Sequence, residues 1–392
     1  MRDSVGYWNA CRRSRGRPKR PQSRAHGARG CSAAGVFGWL LLTGVLSAQV
    51  LTPAQAGWQA LSETRYREAA VAFQKAIASD PRNARLHLGA GAAAYFDRRD
   101  AEAQTFLRRA LELNPALTDA RELLGLVLYR TGDVNAAIRE YEVLAAAGGS
   151  PQARVTETLA RWRRESELRD RMTVIPGNAF TLSFEGPPDA EIAARAAASL
   201  DRAAARIGQV LSTLPLLPVP VVLYSNEQFR DITRAPDWAA GAFDGIVRIP
   251  VRDALTDPAE LDRVIAHEFT HAVVYSLTPR GVPVWLNEGL ATVLESDGPG
   301  VPESAVAGSP EARSLSLRLL ARPFGRFPAD AATVAYGKSA LAVRRLLDEA
   351  GGFAIANLLR DIGSGAPFEE AFERRVMKPF KQFEADVSGA AR

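Results

Sequence analysis

Residues 57–150 repeat with a period of 34 residues, and this periodicity constrains the fold more than any other feature of the chain. Glycine recurs at Gly57, Gly91 and Gly125, and the same step relates Ala69, Ala103 and Ala137, then Phe73, Leu107 and Tyr141, then Ala76 and Ala110, and Pro81 and Pro115. Small residues allow two helices to approach closely, large apolar residues fill the space between them, and proline ends a helix. The period therefore predicts an array of helix pairs that share one continuous core.

This pattern resembles tetratricopeptide repeats, with two clear copies and a third that departs from the pattern. In the third copy Leu144 stands where alanine is usual, and the Gly-Ser-Pro segment at 149–151 replaces the terminal proline. The helix-like stretch at 152–172 is predicted to cap the array, because a terminal repeat needs one covered face. The resemblance implies a surface that recruits a peptide or protein partner. A role as a spacer is equally open, because such repeats specify architecture rather than a ligand.

After Met172 the pattern changes from helix pairs to a mixture of strands and helices. We predict strands at Phe180–Glu185, Val219–Tyr224 and Gly245–Val251, helices at Ala190–Leu211 and Pro258–Leu277, and mostly helical structure from Pro310 onward. This order indicates an α+β domain over residues 173–388, preceded by an all-α array over residues 57–172.

Positive charge is concentrated in the first 35 residues, which hold nine Lys or Arg side chains and a single acidic one. This excess is larger than the formal net charge of +5 for the whole chain, so the remainder is net negative. A net negative body gives no argument for a nucleic-acid-binding surface.

The basic segment is followed by the apolar run Val36–Val50 and then by Ala54-Gln55-Ala56. This order matches the three parts of a secretory signal peptide, so residues 1–56 are predicted to direct export to the periplasm or the cell exterior. The run is shorter than the roughly 20 residues of a membrane span, and retention of residues 36–51 as a membrane anchor is left open. Both cysteines, Cys11 and Cys31, lie in this segment. The exported chain is therefore expected to contain no disulfide and no cysteine ligand or nucleophile.

The segment His267-Glu268-Phe269-Thr270-His271 lies in an apolar helical run and carries the clearest functional signal. Two histidines four residues apart project from one face of a helix, so both imidazoles can bind one zinc ion. The carboxylate of Glu268 can reach a water at that ion and act as a general base. The alternative is a pair of ordinary helix histidines, but burying two imidazoles beside a carboxylate is costly without a metal or another partner.

The third ligand follows from elimination. The other two histidines of the chain are His26, in the leader, and His87, in the repeats. A carboxylate is therefore required, and Glu288 supplies it, 17 residues after His271 in a second helix. The chain breaks between the two helices at Pro279, Gly281 and Pro283. Three protein ligands leave a fourth position for water and substrate. The alternative for Glu288 is a solvated carboxylate near a helix start.

The metal motif followed by Trp-Leu-Asn-Glu-Gly-Leu-Ala at 285–291 resembles the gluzincins, and more narrowly the peptidase-MA-like domains that often follow tetratricopeptide repeats. The resemblance extends over residues 173–388 and implies a thermolysin-like α+β metallopeptidase domain. It also implies Zn²⁺ as cofactor, peptide or protein as substrate, and Glu268 as general base. The ligands that it implies are His267, His271 and Glu288.

Two further residues are candidates for roles at this site. Glu295 lies two helical turns after Glu288 on the same face, where its carboxylate could orient a ligand histidine. A surface carboxylate is the alternative. Gluzincins commonly place a tyrosine after the third ligand to hydrogen-bond the oxyanion of the tetrahedral intermediate. Tyr336, expected to open a helix at Ser339–Glu349, fits that position, and a packing role is the alternative.

The segment Gly241-Ala242-Phe243-Asp244-Gly245 also resembles a gluzincin feature. An edge strand at this place can pair with an extended peptide substrate. Related aminopeptidases carry a glutamate here that binds the free amine of the substrate. Asp244 and Gly245 replace the usual Glu-Asn, so aminopeptidase activity is in doubt and Asp244 is expected to be a turn residue.

The sequence thus favours a zinc-dependent endopeptidase or exopeptidase whose repeats recruit substrate or a partner. The main alternative is a non-enzymatic repeat scaffold that carries a vestigial peptidase domain. Retention of Glu268 argues against it, because a purely structural metal site needs no general base. A structural zinc site is a third reading, but such sites usually have four protein ligands, and no fourth is evident.

Overall fold

The computed structural model describes residues 51–148, 152–186, 190–234, 241–251, 257–296, 315–324, 327 and 329–389. The export segment predicted for residues 1–56 lies outside these ranges up to residue 50, and so does the Gly-Ser-Pro segment at 149–151. Within the described ranges, none of the helices combines the length and apolar character needed to cross a bilayer.

Helices fill the described part of the chain from Pro53 to Arg169, and each packs against the next. They are α1 (Pro53–Ser62), α2 (Tyr66–Ser79), α3 (Ala84–Phe96), α4 (Asp100–Leu113), α5 (Thr118–Arg130), α6 (Val134–Ala146) and α7 (Gln152–Arg169). The helical array predicted from the 34-residue period is therefore present, and α7 packs against α6 as the expected cap.

The repeated residues explain the close packing within each pair of helices. A Cβ atom on Gly91 would lie 2.7 Å from Leu107, and one on Gly125 would lie 2.5 Å from Tyr141. Gly57 stands in the same relation to Phe73, at 2.9 Å. Any larger residue would push the paired helices apart, which is why the period places glycine and a large apolar residue 16 positions apart.

A five-stranded mixed sheet follows the array, in the order β1-β2-β3-β5-β4. Its strands are β1 (Thr173–Pro176), β2 (Phe180–Phe184), β3 (Val219–Tyr224), β4 (Ala242–Phe243) and β5 (Val247–Pro250). The three inner strands are parallel and both edge strands are antiparallel to their neighbours. The register places Val221 opposite both Leu182 and Val247, and all three side chains are fully buried.

The remaining helices surround this sheet and position the site. They are α8 (Ala190–Leu211), α9 (Asn226–Thr233), α10 (Pro258–Leu277), α11 (Val284–Leu294), α12 (Ala329–Ser364), α13 (Phe368–Val376) and α14 (Phe380–Gly389), with a 3₁₀ turn at Leu319–Ala321. Helix α10 packs against α8, α11 and β5, and α11 packs against α12. The break in α12 falls at Gly351, where φ is +76°.

The predicted bounds of α8, β3 and α10 are confirmed, and the described residues after 315 are mostly helical as expected. The helix predicted at Ser339–Glu349 is wrong at its start, because α12 begins at Ala329 and Tyr336 lies inside it. The helix continues through Gly337, because an interior glycine costs only about 1 kcal/mol. Packing of the fully buried Ala335 and Ser339 outweighs that cost.

The edge strand expected in the segment Gly241–Gly245 is present as the two-residue strand β4, at the edge of the described sheet. The predicted strand Gly245–Val251 corresponds to β5, which lies between β3 and β4. Strand β1 and helix α9 were not predicted.

Candidate metal centre

Helix α10 carries the two histidines of the metal motif on the side that faces away from its most buried residues. Its N-terminus is capped by Asp257, whose side chain accepts a hydrogen bond from the Glu260 backbone N–H at 3.1 Å. Ile265, Phe269 and Val273 recur every four residues and are fully buried in the core. His267 and His271 are also four residues apart, and each comes two residues after one of these apolar residues. They therefore project from the opposite side of the helix and stay partly exposed.

Helix α11 brings the third residue of the centre back to α10. The chain turns between them through Gly281, whose φ of +77° favours glycine. Glu288 then lies in the second turn of α11. The next residue, Gly289, packs directly on α12, because a Cβ atom there would lie 2.4 Å from the Ser339 carbonyl oxygen. Because Gly289 has no side chain, α11 can pack closely on α12. This packing sets the position of α11 and therefore of Glu288.

Gly289→Ala is expected to destabilise the protein by about 1–3 kcal/mol, because the added methyl group must displace α11 from α12. Denaturant unfolding measures the change. Gly208→Ala in α8 is the matched control, since a Cβ atom there meets only the flexible Leu214 side chain at 3.3 Å. An equal loss of stability in both variants would contradict this account of Gly289.

The structure brings His267, His271 and Glu288 together, with one ligand atom from each lying within 4.8 Å of the others. The Nε2 atoms of His267 and His271 lie 3.8 and 3.6 Å from the same Glu288 oxygen. Ligand atoms around a tetrahedral zinc ion lie roughly 3.3–3.6 Å apart. The three donors therefore fit a zinc ion with only small adjustments of the side chains.

Glu295 contacts the side of the His267 ring that faces away from Glu288. The His267 Nδ1 atom lies 2.8 Å from a Glu295 carboxylate oxygen, and Arg263 donates to the same oxygen at 3.3 Å. An Nδ1–H that donates to Glu295 leaves the Nε2 lone pair of His267 pointing to the centre. The Nδ1 atom of His271 is buried and has no hydrogen-bond partner among the described residues. The two histidines are thus held differently.

Glu295→Gln is expected to weaken zinc affinity by about 10- to 100-fold, because His267 loses its charged acceptor. Competition with a chromogenic chelator measures the affinity. Asp348→Asn provides a control carboxylate on α12, outside this centre. An unchanged affinity in Glu295→Gln would show that Glu295 does not orient His267.

The charges of the site favour a cation. Burial lowers the pKa of His267, but the hydrogen bond with Glu295 and the charges of Glu268 and Glu288 outweigh it, so the pKa is raised. Burial raises the pKa of Glu268. The charges of His271 and His267 lower this pKa and the charge of Glu288 raises it slightly, so the net effect is a raised pKa. Three carboxylates around two imidazoles form an electron-rich donor set, which is what a divalent metal requires.

Glu268 lies against the edge strand of the sheet. A Cβ atom on Gly241, directly before β4, would lie 2.6 Å from the Glu268 Cγ atom. One further contact joins β4 to α10, where the Phe243 and Tyr275 rings meet edge to face at 5.4 Å. Asp244 does not reach towards this centre in any described contact. It pairs with Arg248 and accepts from the Ile246 N–H at 3.4 Å, as expected of a turn residue.

Tyr336 faces the same site from α12. Its side chain is 38% exposed and packs edge to face on Phe324, with ring centroids 5.1 Å apart. Burial raises the pKa of Tyr336, and the charges of Glu288 and Glu268 raise it further. The phenol therefore stays protonated at neutral pH and can donate a hydrogen bond.

Sequence reasoning missed one group of residues close to this site. Arg248 of β5 and Glu165 of α7 form a buried ion pair at 3.0 Å, although they are 83 positions apart. A signal was available, because Glu165 follows Trp162 by three residues on the apolar face of α7. A charged residue on such a face needs a partner, but the sequence does not indicate which one.

Residues 199–378 match the family model described as the Peptidase MA superfamily. The matched segment is slightly less than half of the chain and contains His267, Glu268, His271, Glu288, Glu295 and Tyr336. A search of the curated proteins found no match to this chain. The matched segment lies within the domain predicted at 173–388 and is similar in sequence to the Peptidase MA superfamily.

Proposed function

We propose that this protein is a gluzincin-type zinc metallopeptidase that hydrolyses peptide or protein substrates. The observation that carries the proposal is the convergence of His267, His271 and Glu288 beside Glu268 in the matched domain. Three protein donors leave a coordination position open, as a catalytic site needs and a structural site does not. A bound zinc ion would polarise the scissile carbonyl and lower the pKa of a water.

Each residue of the site has a role in this proposal. Glu268 accepts a proton from the attacking water and passes it to the leaving amine, and its raised pKa brings the carboxylate closer to neutral pH, where proton transfer in both directions is efficient. The Tyr336 phenol donates a hydrogen bond to the oxyanion that develops on the substrate carbonyl. Glu295 holds the ring of His267 in the orientation that ligation requires.

The substrate is proposed to lie along β4 in an extended conformation. This strand is at the edge of the described sheet, and Gly241, directly before it, packs on Glu268. An extended peptide can add to such an edge through main-chain hydrogen bonds. Asp244 stands where aminopeptidase relatives have a glutamate, and it pairs with Arg248 instead of being free to bind an amino terminus.

The helical array is proposed to consist of tetratricopeptide repeats that recruit substrate or a protein partner. The 34-residue spacing of Gly57, Gly91 and Gly125, each packed on a large apolar side chain, supports this assignment. Export through the leader, to the periplasm or the cell exterior, remains a proposal from the sequence, as does membrane attachment through residues 36–51.

The proposal is tested by zinc removal and restoration. The purified protein is dialysed against a chelator, and a mixed peptide library is then incubated with the metal-free and zinc-restored forms. Cleavage is expected only in the restored form, at about one zinc per chain. Stoichiometric zinc without cleavage of any peptide would instead support a non-enzymatic scaffold with a vestigial peptidase domain.

A further inference from the structure

The ion pair between Arg248 and Glu165 is the most completely buried pair of opposite charges among the described residues, with side-chain exposures of 1% and 0%. Two tyrosines complete the cluster. Tyr129 of α5 donates a hydrogen bond to Glu165, and the Tyr224 hydroxyl lies 3.5 Å from the same carboxylate. Burying two charges is costly, and their attraction offsets that cost only where further hydrogen bonds satisfy the pair, as the tyrosines do here.

The pair joins the helical array to the β4–β5 hairpin. Arg248 lies opposite Ala242 in the register of the hairpin, and its guanidinium also pairs with Asp244, the residue that follows β4. It also contacts Glu165 of α7 and the Tyr129 hydroxyl of α5, at 3.0 and 3.2 Å. One guanidinium therefore holds the end of β4 and two helices of the array.

The tip of the same hairpin also touches the array. Gly245 has a φ of +114°, and a Cβ atom there would lie 2.8 Å from the Arg130 carbonyl oxygen. The opposite side of the hairpin faces the catalytic residues, because Gly241 packs on Glu268 and Phe243 packs on Tyr275. The hairpin is thus enclosed between the array and helix α10.

We propose that Arg248 and Glu165 are positioning residues, through which the array holds β4 and Gly241 against Glu268. The array is then part of the catalytic cleft as well as a surface for recruitment. Loss of the contacts between Arg248 and the array would leave β4 free to move relative to Glu268. Displacements of about 1 Å at a catalytic centre can lower the rate by as much as about 100-fold.

The test uses the full chain with both charges replaced, Arg248→Met with Glu165→Leu. Removing both partners avoids leaving one buried charge unpaired, and such replacements often preserve stability. Arg164→Met with Asp231→Leu is the matched control. Those residues form a pair between α7 and α9 that is about half exposed, at 2.7 Å. Hydrogen–deuterium exchange is measured on peptides that cover 241–250, together with zinc content and the melting temperature.

We expect amide exchange in 241–250 to be accelerated roughly tenfold in the Arg248/Glu165 variant, because charged hydrogen bonds are lost from the hairpin. The control variant should match the wild type. Unchanged exchange in 241–250 would overturn the proposal. An acceleration spread evenly over the chain would also overturn it, because the pair would then act on global stability alone.

A second measurement, of kcat, rests on the proposed peptidase function. The Arg248/Glu165 variant is expected to lose roughly tenfold in kcat with its zinc content unchanged, and the control variant should lose nothing. An unchanged kcat beside accelerated exchange would refute the catalytic part of the proposal. If the wild type cleaves no peptide, the proposed function fails, and the exchange measurement still decides whether the array holds the hairpin.

Discussion

Glu268→Gln is expected to lower kcat for peptide hydrolysis by about 10²–10⁴-fold, because the amide can neither accept the proton of the attacking water nor pass it to the leaving amine. Zinc content should be unchanged, since the ligand atoms belong to His267, His271 and Glu288. The replacement keeps the shape of the side chain, so the packing on Gly241 is also retained. Steady-state kinetics with a peptide cleaved by the wild type measures the effect.

Asp262→Asn is the matched control for this variant. It makes the same change from carboxylate to amide on the same helix, at an exposed residue that pairs with Arg202 at 2.8 Å. Its kcat should equal that of the wild type. If Glu268→Gln retained wild-type kcat with zinc bound, Glu268 would not be the general base, and the proposed chemistry would be wrong.

Glu288→Ala is expected to weaken zinc binding by about 10²–10³-fold, and hydrolysis should fall with it at limiting zinc. The magnitude follows from dividing an apparent free energy of about 10–16 kcal/mol for a structural zinc site among its four donors, which gives about 2.5–4 kcal/mol for each. The two histidines remain, so residual binding is expected rather than complete loss. Metal-competition titration measures the affinity.

His87→Gln is the control for loss of a metal-binding side chain. His87 lies in the array and its Nε2 atom is 3.0 Å from the Pro81 carbonyl oxygen, a contact that a glutamine amide can replace. Zinc affinity should not change in this variant. Wild-type affinity in Glu288→Ala would exclude Glu288 as the third ligand.

The sequence was most informative where local patterns and packing agree. Helix α10 carries an apolar residue at every fourth position, begins after a capping aspartate and ends before Pro279, so both of its bounds were predictable. Glu288 could be proposed as the third ligand because the chain has only four histidines and its two cysteines lie near the N-terminus. The 34-residue period predicted the array because each repeated glycine has one packing partner, 16 residues later.

Other features depend on contacts that a local pattern does not encode. The two-residue strand β4 exists through its pairing with β5 and its packing on α10, and two residues are too few to show an alternating pattern. Helix α12 continues through Gly337 because neighbouring residues are buried, which propensity alone does not reveal. Two partners of Arg248, Glu165 and Tyr129, lie 83 and 119 positions away in the chain, so neither could be found by spacing.

A crystal structure of the zinc-restored protein, with anomalous data at the zinc edge, would locate the metal directly. We expect one strong peak, about 2.0–2.2 Å from the Nε2 atoms of His267 and His271 and from a Glu288 oxygen, with the remaining position taken by solvent. A peak elsewhere in the chain, or a fourth protein ligand that closes the site, would contradict the proposed site.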